Sequence, residues 1–131
     1  MRGLPMKKRV LVVEDNPDIL DSMAEIIESE GFEVSKARNG AVALALLQQL
    51  DEVQERVDCI VLDYIMPEMD GQQFLERLHS PMLVAFKDVP VLVTTTNTIE
   101  FRQATTRPVE FLPKPVDVEE LTLRIKTLTG R

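Results

Sequence analysis

The stretch that decides the fold is Cys59-Ile60-Val61-Leu62-Asp63-Tyr64-Ile65-Met66-Pro67-Glu68-Met69-Asp70-Gly71. Its apolar, mostly β-branched beginning is typical of a strand that is buried on both faces of a parallel sheet. We expect the strand to end at Asp63, because Pro67 cannot donate to a β-ladder and Asp70-Gly71 indicates a turn. Asp63 is therefore predicted to lie at the carboxyl end of a central strand, the edge at which open α/β sheets bind ligands.

Further apolar runs and amphipathic patterns alternate along the rest of the chain. The other predicted strands are Val10–Val13, Phe32–Lys36, Val89–Val93 and Val109–Leu112. The predicted helices begin at Asn16-Pro17, Asn39-Gly40, Gly71, Asn97 and Asp117; the second carries an apolar stripe from Ala43 to Val57, and the third stops at Ser80-Pro81. Alternation of this kind implies right-handed crossovers. The predicted fold class is α/β: a flavodoxin-like, doubly wound (βα)5 domain with a parallel five-stranded sheet in the order 2-1-3-4-5.

Length and composition bound the function. We expect one domain over residues 1–131, with a flexible lead-in at residues 1–6 and no output domain. The net charge of −7, from 22 acidic residues against 15 lysines and arginines, disfavours direct binding of nucleic acid. Cys59 is the only cysteine, and no segment has the pattern of a signal peptide or a membrane span, so we expect a cytoplasmic protein without membrane contact.

Polar side chains follow four of the predicted strands. They are Glu14-Asp15, Asp63, Thr95 and Lys114. In the strand order 2-1-3-4-5 these groups converge on one crevice, where three carboxylates repel one another and need a cation. Hard oxygen ligands suit Mg²⁺. Lysine and hydroxyl groups opposite them can stabilise phosphoryl oxygens while an aspartate acts as the nucleophile. Phosphoryl transfer requires groups of these kinds.

Taken together, these motifs resemble the receiver domain of two-component response regulators, here of the stand-alone, single-domain type. The matching positions are the acidic pair Glu14-Asp15, the Asp63–Gly71 stretch with its Met-Pro-x-Met-Asp-Gly ending, Thr95 five residues after Pro90, Lys114-Pro115, and Asn39-Gly40-x-x-Ala43-Leu44. The resemblance covers about residues 7 to 129. Each motif alone is weak, but four in order at strand ends are specific.

The resemblance implies a phosphoacceptor site. Asp63 would take a phosphoryl group from the phosphohistidine of a histidine kinase or a histidine phosphotransfer protein and form an acyl phosphate. Asp15 would bind Mg²⁺ directly and Glu14 through water. Asp63 and the backbone carbonyl of Ile65 would supply further ligands. The chain would then be a signalling protein or phosphorelay intermediate, which catalyses only its own phosphorylation and dephosphorylation.

The same resemblance implies a switch. Lys114 would pair with the phosphoryl oxygens, Thr95 would hydrogen-bond one of them, and Phe111 would take the place of the family's aromatic switch residue. The output would be a changed surface for an unidentified downstream protein. A monomer and a homodimer both stay open, because Thr106-Arg107-Pro108 and a short fourth helix depart from the family pattern in a region through which family members often dimerise.

Two other positions depart from the family pattern beside the acceptor. Thr96 stands where the family usually has alanine or glycine, and its branched side chain should narrow the approach of a phosphodonor. Ile65, two residues after Asp63, cannot orient an attacking water. We therefore expect slow phosphorylation by small donors and a persistent acyl phosphate.

Two other functions fit parts of the pattern. One is a receiver-like interaction module that is never phosphorylated, against which the intact set of Glu14, Asp15, Asp63, Thr95 and Lys114 argues. The other is an aspartyl-phosphate phosphohydrolase that resembles the haloacid dehalogenase group. Those enzymes carry a second acid two residues after the nucleophile, and Ile65 occupies that position here.

Overall fold

The computed structural model describes residues 7–66, 69–96 and 109–130. Within them, five parallel strands form one sheet in the order β2-β1-β3-β4-β5. The elements in chain order are β1 Arg9–Val13, α1 Pro17–Ser29, β2 Glu33–Ala37, α2 Gly40–Glu52, β3 Cys59–Asp63, α3 Gly71–Arg77, a 3₁₀ helix Pro81–Phe86, β4 Val91–Thr95, β5 Val109–Pro113 and α4 Val118–Thr129. The predicted fold class and strand order are confirmed.

Two apolar cores cover the two faces of the sheet. The face with Leu11, Ile60, Leu62 and Val93 packs against α2, α3 and the 3₁₀ helix, and Phe74 is its largest fully buried side chain. The other face carries the alternate residues of the same strands, among them Val12, Val61 and Leu92, and packs against α1 and α4. Cys59 lies fully buried on this second face, as its apolar neighbours predict.

The helices begin at side chains that cap their first backbone N–H groups. The Asn16 side chain accepts from the N–H groups of Asp18 and Ile19, with Pro17 in the first turn, and Asp117 caps α4 in the same way. Asp70, which the sequence indicates only as part of a turn, is the N-cap of α3 and forms a capping box with Gln73. Capping groups of this kind determine where a helix starts because the first turn leaves backbone donors without partners.

The second helix is shorter than its apolar stripe predicts. It ends at Glu52, and Gln54 then takes a φ of 59°, which turns the chain out of the helix. Val57 is buried from the following loop, whereas Val53 is 65% exposed. The prediction that the helix continues to Val57 was wrong, because periodicity does not distinguish a buried loop residue from one on a helix face.

Smaller differences concern element ends. Strand β4 begins at Val91 and not at Val89, and the carbonyl of Pro90 accepts from Ile60 before the ladder starts. Helix α3 ends at Arg77, three residues before Ser80, and residues 81–86, for which the sequence indicates no conformation, form a 3₁₀ helix. Ile19 and Val118, which follow the apolar periodicity of α1 and α4, are nevertheless about half exposed. The predicted helix at Asn97 lies outside the described residues.

No helix within the described ranges is both long enough and apolar enough to cross a membrane.

Candidate metal and phosphoryl-acceptor site

The polar groups predicted to converge do lie at one edge of the sheet. Asp63 is the last residue of β3, and Thr95 is the last residue of β4. Glu14 follows β1 directly, and its N–H continues the ladder by donating to the carbonyl of Ala37 at 3.0 Å. Because parallel strands all end at this edge, residues that are far apart in the sequence come together there.

The structure brings three carboxylates into one cluster. Glu14, Asp15 and Asp63 each offer an oxygen atom, and these atoms lie within 4.8 Å of one another. Glu14 and Asp63 are each only 3% exposed, while Asp15 is exposed at the mouth of the cluster. Hard oxygen ligands on one open side are what Mg²⁺ prefers in proteins. The donor set therefore fits a divalent cation.

Burial and mutual repulsion disfavour the ionised forms of Glu14 and Asp63. Burial and then the nearby charge of Asp63 raise the pKa of Glu14 from 4.5 to about 7, although the N–H of Asn16 donates to its Oε2 at 3.2 Å. Burial also raises the pKa of Asp63, and a hydrogen bond shared with the Asp15 side chain raises it further; the hydrogen bond and charge of Lys114 oppose both. A cation in the cluster would favour the ionised forms of all three carboxyl groups.

Lys114 completes the site from the other side. Its Nζ donates to Oδ1 of Asp63 at 2.7 Å. Its backbone N–H donates to the carbonyl of Thr95 at 3.1 Å, which ties the start of the loop after β5 to the end of β4. The following peptide bond, Lys114-Pro115, is cis. One ammonium therefore balances one of the three clustered carboxylates, which leaves an excess of negative charge for a cation to offset.

Thr95 and Phe111 share the opposite face of the sheet. Val93 pairs with Phe111 in the parallel ladder, and Thr95 lies two residues beyond Val93, so both side chains are on the α2 and α3 side. Thr95 is 3% exposed, and Phe111 is half-buried against the core. Thr95 and Phe111, the two residues predicted to form the switch, therefore lie on the same face of the sheet. Thr95 lies at the sheet edge, and Phe111 packs against the core.

The loop after Asp63 is held close to the strand. The N–H of Gly71 donates to the carbonyl of Tyr64 at 2.7 Å, and a Cβ at Gly71 would lie 2.9 Å from the Cα of Tyr64. Ile65 lies in this loop with its side chain 69% exposed, and Thr96 is exposed just after β4. The part played by the Ile65 carbonyl as a metal ligand stays a prediction.

Sequence reasoning missed two parts of the site. It assigned Asp70-Gly71 no more than a turn, whereas Gly71 permits the close approach to Tyr64 that supports the loop beside the acceptor. It also gave Thr94 no function, although Thr94 pairs directly with Asp63 in the ladder. The ladder position could have been found by counting back from Thr95, but the close approach of Gly71 to Tyr64 leaves no signal in the sequence.

Comparison with known proteins agrees with this geometry. Residues 10–126 match the model of the response regulator receiver domain. Among curated proteins, response regulator MprA of Mycolicibacterium vanbaalenii is 33% identical over 129 residues, which are 96% of this chain and 52% of that protein. The chain thus spans about half the length of the curated relatives it matches.

Solved structures of similar size also superpose on the chain. The chemotaxis protein CheY4 of Vibrio cholerae gives a TM-score of 0.79 at 28% identity, covering 94% of this chain and 99% of that one. A CheY-like receiver domain protein from Methanospirillum hungatei gives 0.78 at 26% identity, with 95% of each chain covered. With a family match over most of its length and an acidic cluster at the expected sheet edge, the chain belongs to the receiver domain family of response regulators.

Proposed function

We propose that this receiver domain is a phosphoacceptor in which Asp63 takes a phosphoryl group from the phosphohistidine of a histidine kinase or a histidine phosphotransfer protein. The observation that carries the proposal is the position of one buried carboxylate. Asp63 contacts the Lys114 ammonium at 2.7 Å and also shares a cluster with Glu14 and Asp15. It is the one residue of the described chain that belongs to both groups.

In the proposed step, a carboxylate oxygen of Asp63 attacks the phosphorus of phosphohistidine. An O–P bond forms as the P–N bond breaks, and the leaving imidazole takes a proton from solvent. Lys114 shifts from Oδ1 to a phosphoryl oxygen and stabilises the charge that develops there. The Lys114 ammonium opposes the rise in the pKa of Asp63 that burial causes, and a bound cation would oppose it further, so both favour the nucleophilic carboxylate.

Glu14, Asp15 and Asp63 would hold Mg²⁺, together with the backbone carbonyl of Ile65. When bound, the ion would neutralise negative charge on the phosphoryl oxygens. Hydrogen bonds orient two of these carboxylates. The backbone N–H of Asn16 donates to Glu14, and the Lys114 ammonium donates to Asp63. Asp15, the exposed member, lies where an ion would enter from solvent.

Phosphorylation would be read out through Thr95 and Phe111. To shift the equilibrium between two conformations of the domain from 1:99 to 99:1 takes about 5.5 kcal/mol of differential stabilisation. A charged hydrogen bond from Lys114 contributes about 1.5 to 3 kcal/mol and a neutral one from Thr95 about 1 kcal/mol. A bound cation would contribute to the remaining stabilisation. The proposed output is a changed surface for a downstream protein, and the location in the cytoplasm stays a prediction.

The two alternatives lack a comparable observation. A module that is never phosphorylated gives no reason for a buried carboxylate held between a lysine and two further acids. Phosphohydrolases of the haloacid dehalogenase group carry an acid two residues after the nucleophile, and that position holds the apolar residue Ile65, which is 69% exposed.

The proposal is tested by phosphoryl transfer from phosphorylated histidine kinases. The chain should accept label in the presence of Mg²⁺ and lose that ability with EDTA. Asp63→Asn should abolish labelling, whereas Asp58→Asn, directly before the other end of β3, should leave it intact. Label that persists in Asp63→Asn would assign the acceptor elsewhere.

A further inference from the structure

Thr94 carries a buried hydroxyl that the proposed chemistry does not use. The residue is 1% exposed and lies near the carboxyl end of β4, between β3 and β5. Within the described part of the chain, its Oγ1 has no hydrogen-bond partner. Buried side-chain hydroxyls nearly always have a partner, because leaving one unpaired is unfavourable. If the Thr94 hydroxyl has no partner in the unphosphorylated state, we expect it to form a hydrogen bond in the phosphorylated state.

The register of the sheet places this hydroxyl beside the acceptor. Thr94 pairs with Asp63 on one side and with Leu112 on the other, so the three side chains lie in one row on the face covered by α1 and α4. Neighbouring strands are about 4.8 Å apart. Lys114 lies two residues beyond Leu112 on the same face, and its Nζ reaches Asp63 on β3. Since β4 lies between β5 and β3, the lysine side chain must span β4 to reach Asp63, which is the ladder partner of Thr94.

The lysine has more donors than its ion pair uses. An ammonium carries three protons and accepts no hydrogen bond, and the bond to Oδ1 of Asp63 uses one of them. When an O–P bond forms at Asp63, the ammonium must leave that oxygen for the phosphoryl group. Its new position needs a second acceptor, because a partly buried charge is stabilised only when its donors are paired. The Asp63 and Glu14 carboxylates, which lie on the same face, would hold the cation at this stage.

We propose that Thr94 is a positioning residue for Lys114, whose Oγ1 accepts a proton of the ammonium when the lysine turns from Asp63 to the phosphoryl group. The inference rests on the proposed function. It assigns to Thr94 a hydrogen bond that exists only in the phosphorylated state. The threonine thereby favours that state over the unphosphorylated one, in which its hydroxyl has no partner among the described residues.

Two substitutions separate the hydroxyl from the shape of the side chain. Thr94→Val keeps the shape and removes the hydroxyl. Thr94→Ser keeps the hydroxyl and loses a methyl group. In the unphosphorylated protein Thr94→Val removes an unpaired polar atom, so its melting temperature should equal or exceed that of the parent.

The test is calorimetric binding of Mg²⁺ alone and then of beryllofluoride, which mimics a phosphoryl group, to the Mg²⁺-saturated protein. We expect Thr94→Val to bind Mg²⁺ as the parent does and to bind beryllofluoride roughly tenfold more weakly or worse, as expected for loss of one hydrogen bond to a charged group. Thr94→Ser should keep most of the beryllofluoride affinity.

Three outcomes overturn the inference: equal beryllofluoride affinity in the parent and Thr94→Val, an equal loss in both variants, or a matching loss of Mg²⁺ affinity in Thr94→Val. Failure of the proposed function looks different. In that case the parent itself would bind no beryllofluoride, and Asp63→Asn would behave as the parent does.

Discussion

At the scale of single residues, the site depends on a few side chains at strand ends whose burial differs sharply. Glu14 and Asp63 are almost fully buried, whereas Asp15, Ile65 and Thr96 are exposed at the mouth. The buried members determine which chemistry the site supports. We expect the exposed members to control access of the phosphodonor and the lifetime of the acyl phosphate.

Thr96→Ala should speed phosphorylation by small donors such as acetyl phosphate. Thr96 is exposed directly after Thr95, and we expect its branched side chain to narrow the approach of a phosphodonor to Asp63. We expect a several-fold faster initial rate in Thr96→Ala, followed by acyl phosphate accumulation. Thr96→Val, which keeps the branch, is the matched control and should stay slow. Equal rates for the parent and Thr96→Ala would refute the steric explanation.

Ile65→Asn should shorten the lifetime of the acyl phosphate. The exposed apolar side chain of Ile65 cannot hydrogen-bond a water molecule, whereas an amide at the same place can orient one for attack. The measurement is the decay of phosphorylated protein after removal of the donor. Ile65→Leu should decay like the parent, and an unchanged half-life in Ile65→Asn would contradict the prediction.

At the scale of elements, the sequence predicts where most strands and helices begin, because those signals are local. Asn16, Asn39 and Asp117 each cap the helix that they were expected to start. Helix ends are harder to predict. The apolar stripe from Ala43 to Val57 runs past the end of α2 at Glu52. Val57 is buried in the core although it lies in a loop, and the local periodicity of the sequence cannot show this.

The loop between β3 and α3 allows a direct test of packing. A Cβ at Gly71 would lie 2.9 Å from the backbone Cα of Tyr64, which cannot move without shifting the end of β3. Gly71→Ala should therefore lower the free energy of unfolding by roughly 1–3 kcal/mol, the usual result of overpacking. Urea unfolding monitored by circular dichroism measures this change.

Gly40→Ala is the matched control for that loop. Its Cβ would meet only the flexible side chain of Met69, with Sδ at 2.8 Å, and alanine is favoured over glycine in the helix that Gly40 begins. The loss at Gly40 should be smaller than the loss at Gly71. If the two substitutions lower the free energy of unfolding equally, the close approach of Gly71 to Tyr64 does not determine the conformation of the loop.

At the scale of the whole molecule, the strand order was predictable from the alternation of elements, and with it the convergence of Glu14, Asp63 and Lys114. The unpaired hydroxyl of Thr94 was not, because all five residues of β4 are buried and a threonine there looks like any other β-branched core residue. Only the ladder and the hydrogen bonds show that Thr94 lies beside Asp63 and that its hydroxyl has no partner among the residues the structure describes.

The buried acidic cluster should make the stability of the whole domain depend on pH when no divalent cation is bound. The pKa of Glu14 is raised from 4.5 to about 7 by burial and by Asp63, so its contribution is full below pH 4.5 and is lost as the pH rises through 7. Between pH 5 and pH 8 in EDTA, this term should lower the free energy of unfolding by on the order of 2 kcal/mol. Asp63, whose pKa is also raised, acts in the same direction.

Glu14→Gln isolates this effect from the remaining titrating groups. The difference between the unfolding free energies of the parent and Glu14→Gln should shift in favour of the variant as the pH rises. Added Mg²⁺ should stabilise the parent more at pH 8 than at pH 5, because the cation favours ionised carboxylates. Parallel pH profiles for the two proteins would show that Glu14 is not the group responsible.

The central claim, that Asp63 is the phosphoryl acceptor, is tested most directly by locating the modified residue. The chain is phosphorylated in Mg²⁺, reduced with borohydride, which converts an aspartyl phosphate to homoserine, digested and sequenced by mass spectrometry. We expect homoserine at position 63 and at no other aspartate, with none formed in EDTA. Homoserine at Asp15 or another position, with Asp63 unmodified, would contradict it.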